Sequence, residues 1–410
     1  MKTHRYAVGF VVAIVSAGTL SVAGLSQSSW PMVQGGPQHL GRTDQIGPTR
    51  GLVHWVYRWP GSNAVTPPVV GRDGIYFSTA RYPIDGHSTN AYLVAVNFKG
   101  SESWRFTQTD TLGELDHHDA LSTVPAVTDA EHVWFSSFDG ADANKVRVFE
   151  VNQDGSYASA YHGGRYAQSA IAIDAAGGVF FTRGTKCALN RNWTAYYPGT
   201  SCRPGGGPAL SPDEQTVYIG TGDKVEKLLA LDTSNMTLRW AIEPSLGDLY
   251  GVPLVVGTNV YFSTVSALIA VADAGTVGNI SWTRTDIGTH AVFGGLALGF
   301  NGRLYSGENS DGTFYCLDPL TGTNFWTRNF GDGPVTAPVI DGRGDIYVGF
   351  ANTLFKIRDD STSSTVLWDA ELEGRIVGLA LGPGPWLYAT TDAGCLYCIG
   401  SQFGTLIAIR

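Results

Sequence analysis

Along most of the chain, apolar or small residues alternate with polar ones over short runs, and the runs end in Gly, Asp, Asn or Pro. A side-chain period of two marks half-buried strands, and those residues mark the turns between them. No long helical hydrophobic period is present. The strand pattern also repeats. A short small-residue or Pro-led strand, a turn and an aromatic strand recur as "TPPVVGRDGIYFST", "VPAVTDAEHVWFSS", "SAIAIDAAGGVFFTR", "GPALSPDEQTVYIGT", "GVPLVVGTNVYFST", "GGLALGFNGRLYSGE", "TAPVIDGRGDIYVGF" and "GLALGPGPWLYATT". Their marker aromatics are Tyr76, Trp134, Phe180, Tyr218, Tyr261, Tyr305, Tyr347 and Tyr388, spaced by 58, 46, 38, 43, 44, 42 and 41 residues. A period of about 40–45 residues is that of a propeller blade.

Each copy continues with a third apolar strand, as in "YLVAV", "LLALD", "SALIAV", "TFYCLD", "TLFKIR" and "CLYCIG". A fourth often follows, carrying Trp104, Trp240, Trp282, Trp326 or Trp368. The expected fold is all-β, an eight-bladed β-propeller of four-stranded antiparallel blades, since one small twisted sheet cannot bury both faces but a radial array can. The tryptophans are expected between blades, burying large apolar area while each indole N–H finds a carbonyl. Two strands compete to close the ring. The strand around Trp55 supplies a Trp and is favoured; "GTLIAIR" at the C-terminus is the other candidate.

The repeats resemble the pyrroloquinoline-quinone (PQQ)-like repeat family over about residues 50 to 410, with "LDPLTGTNFW" the best local match. The resemblance extends to "SSWPMVQGGPQHLGRT", Ser28 to Thr43, ahead of the Trp-bearing "GLVHWVYRWPG". It implies that this stretch is a structural lead-in running across the propeller, with Gly35, Gly36 and Gly41 letting it lie flat. The expected organisation is 1–24 a signal peptide or N-terminal anchor, 25–50 an extended lead-in and 51–410 the propeller. The resemblance also suggests a quinoprotein dehydrogenase holding PQQ and calcium. Against that, many such enzymes carry two adjacent cysteines, which this chain lacks, and their Glu, Asn and Asp constellation matches no motif here. No cofactor is therefore expected, and PQQ and calcium belong only to the alternative reading.

Composition narrows the function classes. Charged residues are only 15% and Gly reaches 52 of 410, as suits many strands and tight turns. The net charge of −9 offers no basic footprint for nucleic acid or an anionic membrane. Lys2, His4 and Arg5 precede an apolar run ending in Ser21, Val22, Ala23 and Gly24, which reads as a secretory leader. Leu25 stands where a lipidated Cys would be, so lipid anchoring is unsupported. The expected location is secreted or periplasmic, without membrane insertion once the leader is cleaved.

Cysteines and acidic residues are the candidates for chemistry. Cys316 and Cys398 fall where other copies have Ala95, Ala230 and Ala270, so they read as small buried strand residues. Cys395 and Cys398 are three apart in a strand and point to opposite faces, which argues against a shared metal. Cys187 and Cys202 bracket the irregular third copy; in an oxidising compartment they are expected to form a disulfide, with free thiols the alternative. Asp174, Asp213 and Asp341 are explained by turn chemistry. No metal site is expected.

In such blades the connections from strand two to three, and from strand four to the next blade, emerge on one face. The longest insertions, "TARYPIDGHSTNAY", "TDTLGELDHHDALS" and "FDGADANK", are of these kinds. They bring Tyr82, Asp85, His87, Asp116, His117, His118, Asp119, Asp139 and Asp142 to that face, and shorter connections add Arg165, Tyr166, Asp248, Tyr250 and His290. Mixed aromatics, His and carboxylates suit a ligand or partner surface. Glycosylation sequons at Asn192, Asn235 and Asn279 are expected in third-to-fourth-strand turns on the opposite face. The leading reading is an exported non-catalytic scaffold binding an extracellular or periplasmic protein or glycan. The alternatives are a PQQ-dependent oxidoreductase and a polysaccharide lyase.

Overall fold

The computed structural model describes residues 29–59, 64–80, 92–107, 123–137, 147–162, 170–183, 186–189, 196–198, 207–221, 227–247, 249, 251–287, 295–307, 312–333 and 335–401. Among them every regular element is a strand, apart from one short 3-10 turn at Val33–Gly35. The strands form antiparallel sheets in chain order, at 64–107, 126–162, 172–198, 209–242, 254–284, 296–329 and 339–371. A last sheet joins 376–400 to Leu52–Arg58. First strands touch between the first and second, the fourth and fifth, and the seventh and last sheets, and the first strand of the last blade, Ile376–Leu381, lies against Val69–Val70 of the first. The ring is therefore closed, and the fold is an all-β propeller of antiparallel blades.

One expectation needs correction. Seven sheets are four-stranded rather than all of them; the first blade has five strands. Its innermost strand is cut into Ala64–Val65 and Val69–Val70, both paired with Ile75–Ala80. Pro67 and Pro68 lie at the break, where they lack the N–H a continuous ladder needs. The last blade closes through Leu52–Arg58, which runs antiparallel to Cys395–Gly400 with Trp55 opposite Cys398. Residues of "GTLIAIR" lie outside the described part.

Blade after blade repeats one cross-strand triplet: an aromatic on strand two, a small residue on strand three and Trp on strand four. The triplets are Tyr76–Ala95–Trp104, Tyr218–Ala230–Trp240, Tyr261–Ala270–Trp282, Tyr305–Cys316–Trp326 and Tyr388–Cys398–Trp55. The small centre lets the outer rings meet across it, at centroid distances of 5.8 to 6.1 Å. In each, the fourth strand bulges at the residue just before the Trp. A bulge re-aims the following side chain. The Trp then rests on the next blade: a Cβ on Gly155, whose φ is +84°, would stand 2.7 Å from the Trp104 ring.

Each indole N–H in these triplets also finds an acceptor on the next blade. Trp55 donates to Phe98 O, Trp104 to Gln153 O and Trp282 to Pro319 O. Trp240 and Trp326 donate instead to the carboxylates of Asp273 and Asp359, whose second oxygens accept from Tyr218 and Tyr305. Burial pushes Asp359 up, but these bonds, the Ser361 amide and the Arg303 charge outweigh it and hold the group below the usual carboxylate range. The seventh blade departs from the rule, with buried Lys356 at the small position between Tyr347 and Trp368.

Residues 29–50 make one circuit around the ring centre, bonding the innermost strands in blade order. Trp30 pairs with Val70; Pro31 O accepts from Val127 N and Met32 Sδ from Ile173 N. Pro37, Gln38, Leu40 and Gly41 then offer carbonyls to the amides of Leu210, Val255, Leu298 and Ile340. We call this segment the hub. Gly41 is required there, because a Cβ would stand 2.5 Å from Ala297 Cβ at a φ of +66°. Gly36, at φ −179°, is ordinary extended backbone and needs no glycine. At the hub's end Gly47 N donates to Asp341 Oδ2, and Pro48 O accepts from Lys356 Nζ at 2.9 Å.

Trp326→Ala removes a nearly buried indole and one donor to Asp359. It is expected to destabilise the protein by about 3–5 kcal/mol, read as a lower urea midpoint at an unchanged slope.

Candidate functional site

The hub contacts lie at or next to the C-terminal ends of the first strands, so it covers the channel on the side of the one-to-two and three-to-four turns. Those turns are held by their own side chains. Asp174 accepts from the amides of Ala176 and Gly178, Asp213 from Ser211 and the Gln215 amide, and Asp341 from the amides of Arg343 and Asp345. The turn reading of these three aspartates agrees with the structure. Asp341 does more, since it is fully buried and also takes the hydroxyl of Tyr347 and the hub amide of Gly47.

The opposite end of the ring is the candidate site. Threonines stand there beside the first strands and face the ends of second strands. Thr66 Oγ1 accepts from Ser78 N, Thr123 Oγ1 from Ser136 N and Thr336 Oγ1 from Gly349 N, while Thr390 donates across blades to Thr66 O. These groups brace the strand ends. Farther out, Arg58 pairs with Glu373 at 2.6 Å and Arg375 with Asp392 at 3.3 Å, both on exposed, salt-screened side chains. Trp59 lies against Tyr92 at 5.1 Å between centroids, with the Arg105 guanidinium 5.0 Å over its ring.

The residues proposed from sequence for this face lie outside the described residues: Tyr82, Asp85, His87, Asp116, His117, His118, Asp119, Asp139, Asp142, Arg165, Tyr166, Asp248, Tyr250 and His290. The described strands that bracket them fix only where each connection starts and ends. Those brackets are all of the two-to-three or four-to-next kind, for example Ile75–Ala80 with Tyr92–Val96, and Glu102–Thr107 with Ala126–Val127. Cys202, Asn192 and the Cys187 side chain also lie outside. Asn235 sits exposed in its turn, its Oδ1 accepting from Thr237 N and Oγ1. Asn279 corrects the expectation, since it is the second residue of the strand Gly278–Arg284, opposite Ala272.

Cys316, Cys395 and Cys398 are buried free thiols. Burial, with the nearby Asp359 charge, pushes Cys316 up to about 12, and burial pushes Cys398 to about 12 as well. Among the described residues no group of three His, Cys, Asp or Glu side chains is placed to hold a metal.

Sequence reasoning missed the carboxylates that receive the Tyr and Trp donors, Asp273 and Asp359, and the related Glu131, which takes Tyr76 OH at 2.8 Å. An Asp closing third strands, as in "VAD" and "IRD", was the available signal for the first two. It also missed Lys356, set in a strand read as apolar, and His39, which is 1% exposed in the hub.

This ring of Tyr–small–Trp blades defines a PQQ-like repeat β-propeller. The family model described as "Outer membrane protein assembly factor BamB" matches residues 88–328 and 190–407, and the chain belongs to that family. BamB from Moraxella catarrhalis is similar at 16% identity and a TM-score of 0.62, over 86% of this chain and 100% of that one. Quinohemoprotein alcohol dehydrogenase from Comamonas testosteroni is similar at 10% identity and a TM-score of 0.69, over 91% of this chain and 81% of that one. A europium-containing methanol dehydrogenase follows at 13% identity and a TM-score of 0.63, over 88% and 89%. At these identities the structural likeness speaks for the fold alone. No curated protein matches the chain.

Because the three described thiols are buried, they are expected to resist alkylation at mildly alkaline pH in the native protein and to react on unfolding. Peptide mass spectrometry after a timed iodoacetamide pulse reads this directly; rapid native labelling of Cys316 or Cys398 would contradict it.

Proposed function

We propose that this chain is an exported, non-catalytic scaffold that binds an extracellular or periplasmic partner, a protein in the first place and a glycan in the second. The observation that carries the reading is the hub. It occupies one side of the ring and bonds the inner strands there, which leaves the long connections of the first two blades, on the other side, as the variable surface. Membership of a family named for an outer membrane assembly factor supports a protein partner in the cell envelope. Residues 1–24 act in this reading as the export leader, 51–410 as the ring in its eight-bladed form, and 25–50 as its lead-in. A glycan on Asn235 would stand on the turn side, clear of the proposed surface.

Shortening "PIDGHSTN" or replacing His117 and His118 with Ala is expected to weaken partner binding at least tenfold, about 1.4 kcal/mol, with melting temperature unchanged. Binding isotherms and thermal melts on each variant check this. Normal binding by the loop variants, with loss on turn-side substitutions, would move the surface to the other face. Dye reduction with alcohols or sugars after adding PQQ and calcium would replace the scaffold by an oxidoreductase, and unsaturated products from acidic polysaccharides would replace it by a lyase.

The same reading places the protein in an oxidising compartment, where Cys187 and Cys202 are expected to be bonded and to stabilise the third blade by roughly 3 kcal/mol. Mass spectrometry of unreduced peptides decides the pairing; separate alkylatable thiols in the exported protein would remove it.

A further inference from the structure

The ring exposes its large apolar side chains toward one end. Among the described residues all of them but Leu367 lie in the hub, in a turn on the hub's side, or within the first three residues of an outer strand leaving that side. Leu320 stands in the sixth blade's three-to-four turn with 74% of its surface open, and Val277 is exposed in the same turn of the fifth. Phe300 projects from the sixth blade's one-to-two turn and Ile46 from the end of the hub. Backbone bonds and packing hold these tips in place. Leu320 N donates to Asp318 Oδ1 at 2.8 Å, Val277 O accepts from Ala274 N, and the Arg42 guanidinium lies 4.8 Å over the Phe300 ring. Ile46 sits between Gln45, whose carbonyl takes Gly342 N, and Gly47, which donates to Asp341. The described far ends of the outer strands expose no large apolar side chain.

Apolar tips carried singly on separate turns suit a broad surface of no fixed outline, such as the boundary of a bilayer. The course of the chain points to the same occupant. Trp30 pairs with Val70 at the turn-side end of the first blade's inner strand, so the N-terminal segment enters the ring on this side. Only residues 26–29 separate Trp30 from the uncharged run Tyr6–Leu25. That connection reaches at most about 18 Å, and an apolar run of about 20 residues can cross a bilayer. Lys2, His4 and Arg5 ahead of the run favour the orientation that leaves the ring on the exported side. With a net charge of −9, the fitting bilayer surface is zwitterionic rather than anionic.

We propose that the leader, having directed export, stays attached as an anchor, and that the turn side of the ring rests on the bilayer through Ile46, Val277, Phe300 and Leu320. The short connection ahead of Trp30 holds that side at the surface, and the tips bury their apolar area in the headgroup layer. The long connections of the first two blades then face away from the membrane. This orientation goes beyond the partner-binding reading, which requires no membrane.

The test places the full chain in vesicles of phosphatidylcholine and phosphatidylethanolamine, with a thiol-linked fluorophore on Leu320→Cys, Val277→Cys or Glu371→Cys and nitroxide-bearing lipids as quencher. The unsubstituted chain supplies the background labelling. Glu371 is the control, since it is exposed and ends the seventh blade's outer strand on the far side. Quenching about threefold stronger for Leu320→Cys and Val277→Cys than for Glu371→Cys is expected from shallow burial of the tips. Equal quenching at all three positions, or the strongest at Glu371→Cys, overturns the proposal. A membrane-associated chain whose N-terminus, by mass spectrometry, lies beyond Leu25 overturns the anchor and the proposal with it. Labels on Leu320→Cys and Val277→Cys that resist aqueous iodide without vesicles would show a second copy or another protein covering this side, and would overturn it as well.

Discussion

The innermost strand of a propeller blade has a partner on one edge only, and that unpaired edge is the constraint around which this protein is built. Its inner strands are two to six residues long, and their free edges face the channel. Unsatisfied backbone groups held away from water cost about 1–3 kcal/mol each, and seven blades present such a group at the same level. The hub answers them in sequence, its carbonyls taking amides and its Gln34, His39 and Arg42 side chains serving carbonyls. The circuit advances one blade every one to five residues, which ties its conformation to the ring's circumference. The chain then leaves at Pro48 and immediately supplies the outer strand of the last blade. One stretch of about thirty residues therefore closes the ring from the inside and from the outside.

Between blades a second rule operates, and its departure in the seventh blade falls where the first rule ends. A small third-strand residue lets Tyr and Trp meet, and a turn on the next blade receives the indole. At the seam between the seventh and last blades no such turn exists, because the last blade's third and fourth strands come from opposite ends of the chain. Trp368 accordingly rests against Gly51, and its indole N–H has no acceptor. Lys356 replaces the small residue there, and its ammonium is satisfied by Asp345 at 2.7 Å and by the hub carbonyl of Pro48. A buried ammonium is tolerable only with such partners. The lysine thus depends on the hub having arrived, and it couples closure of the centre to closure of the rim.

Much of this architecture was legible in the sequence because it is written in side chains with a fixed period. The Tyr and Trp spacing, the alanine-like cysteines and the choice of Trp55 as closing strand all follow from which residues must share a blade. What escaped rests on the backbone. The hub's bonds run through carbonyls whose residue identity is irrelevant, so Pro37 and Gln38 carry no sign of their role. The bulge before each Trp leaves the aromatic spacing unaltered. The split first strand was announced by Pro67 and Pro68, yet the repeat pattern absorbed them as a strand start. For the candidate site, sequence revealed which connections are long and which blades they join. The strands confirm that joining pattern, whereas the fourteen side chains chosen for the face lie beyond the described residues.

The two ends of the ring differ in how much freedom they leave to the residues on them. On the turn side Asp and Ser side chains satisfy local amides, positive-φ glycines sit against tryptophan rings, and the hub presses within bonding distance of successive inner strands. A substitution at any of these positions meets a ring, a backbone bond or the hub. On the other side the threonine hydroxyls brace the strand ends from within, so the connections beyond them can change length and charge without disturbing a blade. Recognition needs side chains that can vary while their scaffold stays still. Only that second end supplies both conditions, and this asymmetry follows from where the N-terminal segment had to run to satisfy the inner strands.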